Sequence, residues 1–137
     1  MRIKLLDGAF MPVRAHKTDA GLDLMSPYDV YVPAKGSACI DTKVCVELPP
    51  YTTGFLKSRS GLNVKHSIQS GEGVIDVGYN GSIRVKLYNH SDTDYFVYKG
   101  DKISQLVILP ILTPELELVE ELEETERGGN GFGSTGY

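Results

Sequence analysis

Polar and apolar residues alternate along most of this chain in short runs, the pattern of strands with one buried face. Arg2 to Leu6 is the first run, and Met11-Pro12 closes the stretch after it in extended backbone. Tyr28 to Val32 and Ser37 to Asp41 flank the turn Pro33-Ala34-Lys35-Gly36. Lys43 to Leu48 puts valines and a leucine on one side and charges on the other until Pro49-Pro50 stops it. Gly54 to Lys57, Asp94 to Tyr98 and the strongly apolar Ile103 to Leu109 add further strands, and Glu115 to Leu122 adds a last one. In Gly73-Val74-Ile75-Asp76-Val77-Gly78-Tyr79-Asn80-Gly81 a β-branched run meets turn residues. Ser82 to Asn89 then places Ile83, Val85 and Leu87 on one face, which predicts a β-hairpin. Strands at this spacing, broken by proline and glycine and with no long amphipathic helix, predict an all-β sandwich or barrel.

Length narrows this to one domain, since 137 residues bury an ordinary core without staples. The barrel is expected over residues 1–119, with an acidic linker and glycine-rich arm over 120–137. A net charge of -4 argues against sequence-independent binding to duplex nucleic acid, which needs a basic face, but leaves room for a small anionic ligand. Cys39 and Cys45 lack metal-ligand spacing and read as small core or surface residues. The first residues have neither the apolar region nor the cleavage site of a signal peptide, and no run is long enough to span a membrane. The expectation is a cytoplasmic protein with reduced thiols and no membrane partner.

Five places carry candidate chemistry. Asp23 lies between Leu22 and Leu24, so if the leucines face the core it points away, as a solvated residue or as a carboxylate aimed at a metal or a phosphate-bound water. Ser58-Arg59-Ser60-Gly61 follows a strand; Arg59 offers paired donors to phosphate, and Ser60 is placed to cap a following short helix. Asp76 enters a turn from an apolar strand and is either a turn acceptor or a base held on a rigid element. Gln105 is the one amide in the most apolar strand, a structural bridge or a ligand donor. His66, without a partner in sequence, reads as a surface residue.

Setting aside His66 as a surface residue, the fifth place is the arm from Arg127 to Tyr137. Its literal G-x-G-x-x-G, Gly131 to Gly136, is not a dinucleotide fingerprint, because it ends the sequence instead of opening a helix after a strand. What remains is an arm with an arginine, the ring of Phe132 and the hydroxyls of Ser134 and Thr135, either a tail or a lid over a ligand.

Five segments together resemble the motifs of the trimeric deoxyuridine triphosphatases (dUTPases), in that family's order: Ala20 to Leu24, Ser58 to Leu62, Gly73 to Gly81, Gly100 to Leu106 and Arg127 to Gly136. The resemblance implies a jelly-roll-like β-barrel that assembles as a homotrimer with active sites shared between subunits, closed by the C-terminal arm. It implies hydrolysis of dUTP to dUMP and pyrophosphate, with Asp76 activating the water that attacks the α-phosphorus. It implies Mg²⁺ carried by the phosphates and reached by Asp23 through water. Arg59, Ser60, Gly61, Gln105, Arg127, Gly133, Ser134 and Thr135 would hold the triphosphate, and Phe132 would stack on the uracil. The backbone of Gly73, Val74 and Ile75 would pair with the uracil edge, and Tyr79 would pack on the deoxyribose. Ser58, Ser70 and Asn80 depart from residues common in the family at those places. Two other readings compete. One is a dCTP deaminase of the same superfamily, with Glu72 the nearby acid. The other is a regulatory binding module on the same fold.

Overall fold

The structure, a computed structural model, describes residues 1–129. The alternating runs form β1 (Arg2–Leu5), β2 (Gly21–Met25), β3 (Val30–Val32), β4 (Ser37–Glu47), β5 (Thr52–Lys57), β6 (Ile68–Ser70), β7 (Gly73–Ile75), β8 (Ser82–Asn89), β9 (Tyr95–Val97) and β10 (Lys102–Pro110). The one helix among the described residues, α1 (Ser60–His66), is far too short to cross a membrane. Neighbouring strands run antiparallel in a sheet of order β1-β4-β8-β6, a second of order β2-β10-β5-β7, and a ribbon of β3 with β9. The result is the expected jelly-roll-like β-barrel.

The two four-stranded sheets close on one apolar core. From the first come Ile40, Val44, Val46, Ile68, Ile83, Val85 and Leu87, and from the second Leu24, Leu56, Ile75, Ile103 and Leu106, none more than 8% exposed. Strand β8 alternates without a break, with Arg84, Lys86 and Tyr88 outward. Each of these inward side chains is worth roughly 1.5–3 kcal/mol, more than the exposed ion pairs around the rim, so the inward positions set the register.

Four expectations change. The two runs on either side of Thr42 are one strand, β4, broken by a bulge: Asp41 pairs with Arg84 but Cys45 with Ser82, and Lys43 sits at a φ of 59°. Asp41 accepts the Lys43 N–H at 2.8 Å and the buried Thr42 hydroxyl donates to the Ile83 carbonyl at 2.7 Å, so side chains satisfy what the ladder loses. The predicted hairpin is absent: β7 pairs with β5, β8 pairs with β4 and β6, and residues 76–81 cross from one sheet to the other. Ile75 and Ile83 thus fill the core from opposing walls. Ser60 does not cap α1; Arg59 occupies the N-cap position without a side-chain cap, and Ser60 is the first helical residue. No strand forms over Glu115 to Leu122. Its alternating leucines pair with no strand among the described residues, and Leu112, Leu116, Leu118 and Leu122 are 86–100% exposed.

Candidate active site

Strand β2 places Leu24 in the core and Asp23 on the opposite face, as the alternation requires. Asp23 is opposite Gln105 on β10, and Gln105 is opposite Lys57 on β5, so a polar row crosses the outer face of the sheet. The Asp23 carboxylate is only 14% exposed and accepts Arg59 Nε at 3.0 Å on one oxygen and Lys102 Nζ at 2.8 Å on the other. A carboxylate so withdrawn from water is costly without such partners. Arg59 Nη1 also donates to the Lys102 carbonyl at 3.3 Å.

Gln105 is a structural bridge that also borders a cleft. Its Nε2 donates to the Ser58 carbonyl at 3.0 Å, and it lines a cleft of about 370 Å³ with Gly21, Asp23, Arg59, Ser60 and Gly61. Ser58 is pinned further by its hydroxyl, which donates to the Ser70 carbonyl and accepts the Ser70 N–H at 3.0 Å. Buried Ser104 joins this cluster through Ser70 at 3.2 Å and the Lys57 carbonyl at 3.0 Å. The departures at Ser58 and Ser70 are therefore partners of each other, tying β5 to β6 across the two sheets. Asp19 forms the outer wall of the cleft; hydrogen bonds from the backbone and ring of His16 hold its carboxyl below the ordinary carboxylate range.

A second cleft, of about 300 Å³, opens at the other edge of the same sheet. Gly73, Val74, Ile75, Asp76 and Tyr79 line it with Ser82 and Arg84. Because β7 is the edge strand, half of its backbone N–H and C=O groups point away from β5. Asp76 follows directly and is exposed. Gly78 takes a φ of 95°, available to glycine without strain, and Tyr79 folds back so that its hydroxyl donates to the Ser82 carbonyl at 3.0 Å. A Cβ on Gly81 would fall 2.7 Å from that hydroxyl, so glycine there makes room for the ring.

The two clefts share no residue. The edge strands that border them, β2 and β7, lie three spacings apart, about 14 Å. A larger cleft of about 400 Å³ between β1 and β4 holds none of the predicted site residues. Arg127 lies in the exposed segment after β10, while Phe132, Gly133, Ser134 and Thr135 fall outside the described residues. Among the described residues no three His, Cys, Asp or Glu side chains converge as a metal cage. Asp23 with Asp19 in one cleft suits instead an ion held mostly by water and phosphate oxygens. Sequence reasoning missed Lys102 and the serine cluster, although Lys102 and Ser104 lie inside the Gly100 to Leu106 segment and Ser58 inside the arginine segment.

Comparison with known proteins identifies the family. The sequence model of the dUTPase family matches residues 7–136. The deoxyuridine 5'-triphosphate nucleotidohydrolase of Oryza sativa subsp. japonica is 48% identical over 97% of this chain and 78% of its own length. The probable enzyme of that name from Schizosaccharomyces pombe is 45% identical over 97% of this chain and 95% of its own. Among solved structures, the Staphylococcus bacteriophage 80alpha dUTPase with dUPNHPP superposes with a TM-score of 0.93 at 38% identity, covering 99% of this chain and 98% of that one. A mutant dUTPase from phage phi11 of S. aureus, described with a structural Mg(II) ion, gives 0.83 at 35% identity over 90% and 98%. With its five motifs, its barrel and a match running almost from end to end, the chain belongs to the dUTPase family.

Proposed function

We propose that this protein is a deoxyuridine triphosphate nucleotidohydrolase, cleaving dUTP to dUMP and pyrophosphate. The observation that carries the reading is the cleft at the β7 edge, where unpaired strand backbone, a carboxylate and a tyrosine ring meet. A pyrimidine edge pairs with the backbone of Gly73 to Ile75 as a further strand would, and cytosine, with donor and acceptor exchanged, leaves buried groups unpaired at about 1–3 kcal/mol each. Tyr79 covers the sugar and leaves a ribose hydroxyl without room or partner. Asp76 orients and deprotonates the attacking water. Arg59, Ser60, Gly61 and Gln105 hold the phosphate chain, so negative charge growing on the leaving pyrophosphate meets fixed donors. Arg127, Phe132, Gly133, Ser134 and Thr135 act as the closing arm. Mg²⁺, when bound, supplies charge neutralisation at the phosphates, with Asp23 placed to hold one of its waters.

The chemistry needs Asp76 and Arg59 around one substrate, yet within one chain they line separate clefts. Neighbouring copies in a homotrimer complete the site, and the exposed leucines of residues 111–122 supply apolar surface for that contact. The deaminase reading fares worse, because Lys57 pairs with Glu72 at 2.5 Å and keeps it below the ordinary carboxylate range, a poor state for shuttling protons.

The test is a nucleotide panel of dUTP, dCTP, dTTP and UTP with Mg²⁺, products separated and pyrophosphate assayed, with the mass in solution measured by sedimentation. Cleavage of dUTP alone by a trimer is the expected result. Consumption of dCTP, or dUTP cleavage by a monomer, would overturn the substrate or the shared-site part respectively.

A further inference from the structure

The Arg59–Asp23–Lys102 cluster contains a residue with no role so far. Lys102 does not line the phosphate cleft; its ammonium pairs with the Asp23 oxygen that Arg59 does not take. A bulge puts it there. Gln105 is opposite Asp23 and Ser104 opposite Leu24, but Lys102, not Ile103, is opposite Met25. The extra residue buries Ile103 and Ser104 in succession and turns Lys102 onto the face that carries Asp23.

We propose that Lys102 is a positioning residue for triphosphate binding, acting through Asp23 on Arg59; the inference rests on the dUTP reading above. A shielded carboxylate facing a single arginine draws both forks of the guanidinium onto its two oxygens, the strongest geometry available to that pair. Lys102 occupies one oxygen, so Arg59 reaches the other through Nε alone, and Nη1 is tied to the Lys102 carbonyl. Those two bonds fix the guanidinium plane and leave most of its N–H groups for a phosphate. Two cations on one anion also leave the cluster a net positive charge beside the cleft. With a neutral side chain in place of Lys102, Arg59 turns its fork onto Asp23 and its charge is spent there.

The experiment compares wild type, Lys102→Gln and Lys102→Arg. Steady-state kinetics on dUTP are combined with calorimetric binding of a non-hydrolysable dUTP analogue and of dUMP, and thermal melts monitor folding. Lys102→Gln should raise KM about fivefold to tenfold, weaken the analogue alike and leave dUMP binding unchanged. Lys102→Arg should restore the analogue's affinity, because it donates to the same oxygen. An unchanged KM in Lys102→Gln, an equal loss for dUMP and analogue, or failure of Lys102→Arg to restore binding would each overturn the assignment. A wild-type protein inactive on dUTP would overturn the underlying reading instead.

Discussion

Gly21 offers a sharp test of how the cleft proposed for the phosphates is held open. A Cβ built there falls 2.2 Å from Gln105 Oε1, 3.0 Å from its Cδ and 3.1 Å from its Cβ. The amide end of glutamine is flexible, but a contact that reaches Cβ cannot be relieved by the tip alone. Gly21→Ala should therefore swing the carboxamide out of the cleft and break its bond to the Ser58 carbonyl. Losing that neutral hydrogen bond costs about 1 kcal/mol of stability, and for a domain of this size that lowers Tm by about 3 °C. Losing a donor to a charged phosphate oxygen costs about 2 kcal/mol, roughly thirtyfold in kcat/KM. The assay is a double-mutant cycle with Gln105→Ala, measuring kcat/KM on dUTP and Tm. If Gly21 acts mainly by making room for Gln105, Gly21→Ala costs much less once Gln105→Ala is present, the remainder coming from the 3.1 Å contact with the Cβ that alanine keeps. Additive losses would refute the reasoning.

Other outcomes follow from the same geometry. Asp76→Asn should cut kcat by about 10²–10⁴ with unchanged melting and analogue binding, as for a general base on an exposed turn; turnover near wild type would remove the base assignment. Asn89→Ala should cost roughly 3 kcal/mol in urea denaturation, because the buried amide donates to the Val32 and Thr93 carbonyls and accepts from the N–H and hydroxyl of Ser91. Asp19 has its carboxyl depressed below 3.8 by His16, so its contribution to stability is complete above that value and is lost as pH falls through the lower folded value. Asp19→Asn should flatten the acid limb of stability against pH, read from melts between about pH 2 and 5.

Much of the architecture was legible because a period of two is written residue by residue: Leu22, Asp23 and Leu24 announce their faces, as do Ile83, Val85 and Leu87. Motif order was legible for the same reason, since the segments around Asp23, Arg59, Asp76 and Gln105 carry their residue types locally. Alternation says which face of a strand is buried but not which strand lies beside it. That is why Val74 and Ser82 read as two arms of a hairpin, whereas β7 joins β5 and β8 joins β4 and β6. Bulges break the period itself, which hid the unity of β4 and turned Lys102 to the outer face.

The sequence by itself determined the all-β class, the inward residues and the identities of the groups on offer to a nucleotide. Only the tertiary structure decided that Asp23 is held between Arg59 and Lys102, that Ser58 clasps Ser70, and that Asp76 opens on a different cleft from Arg59. Side-chain types and face alternation are local properties of the chain, whereas partners, register and the separation of clefts arise when distant strands compete for the same sheet edges and the same buried volume.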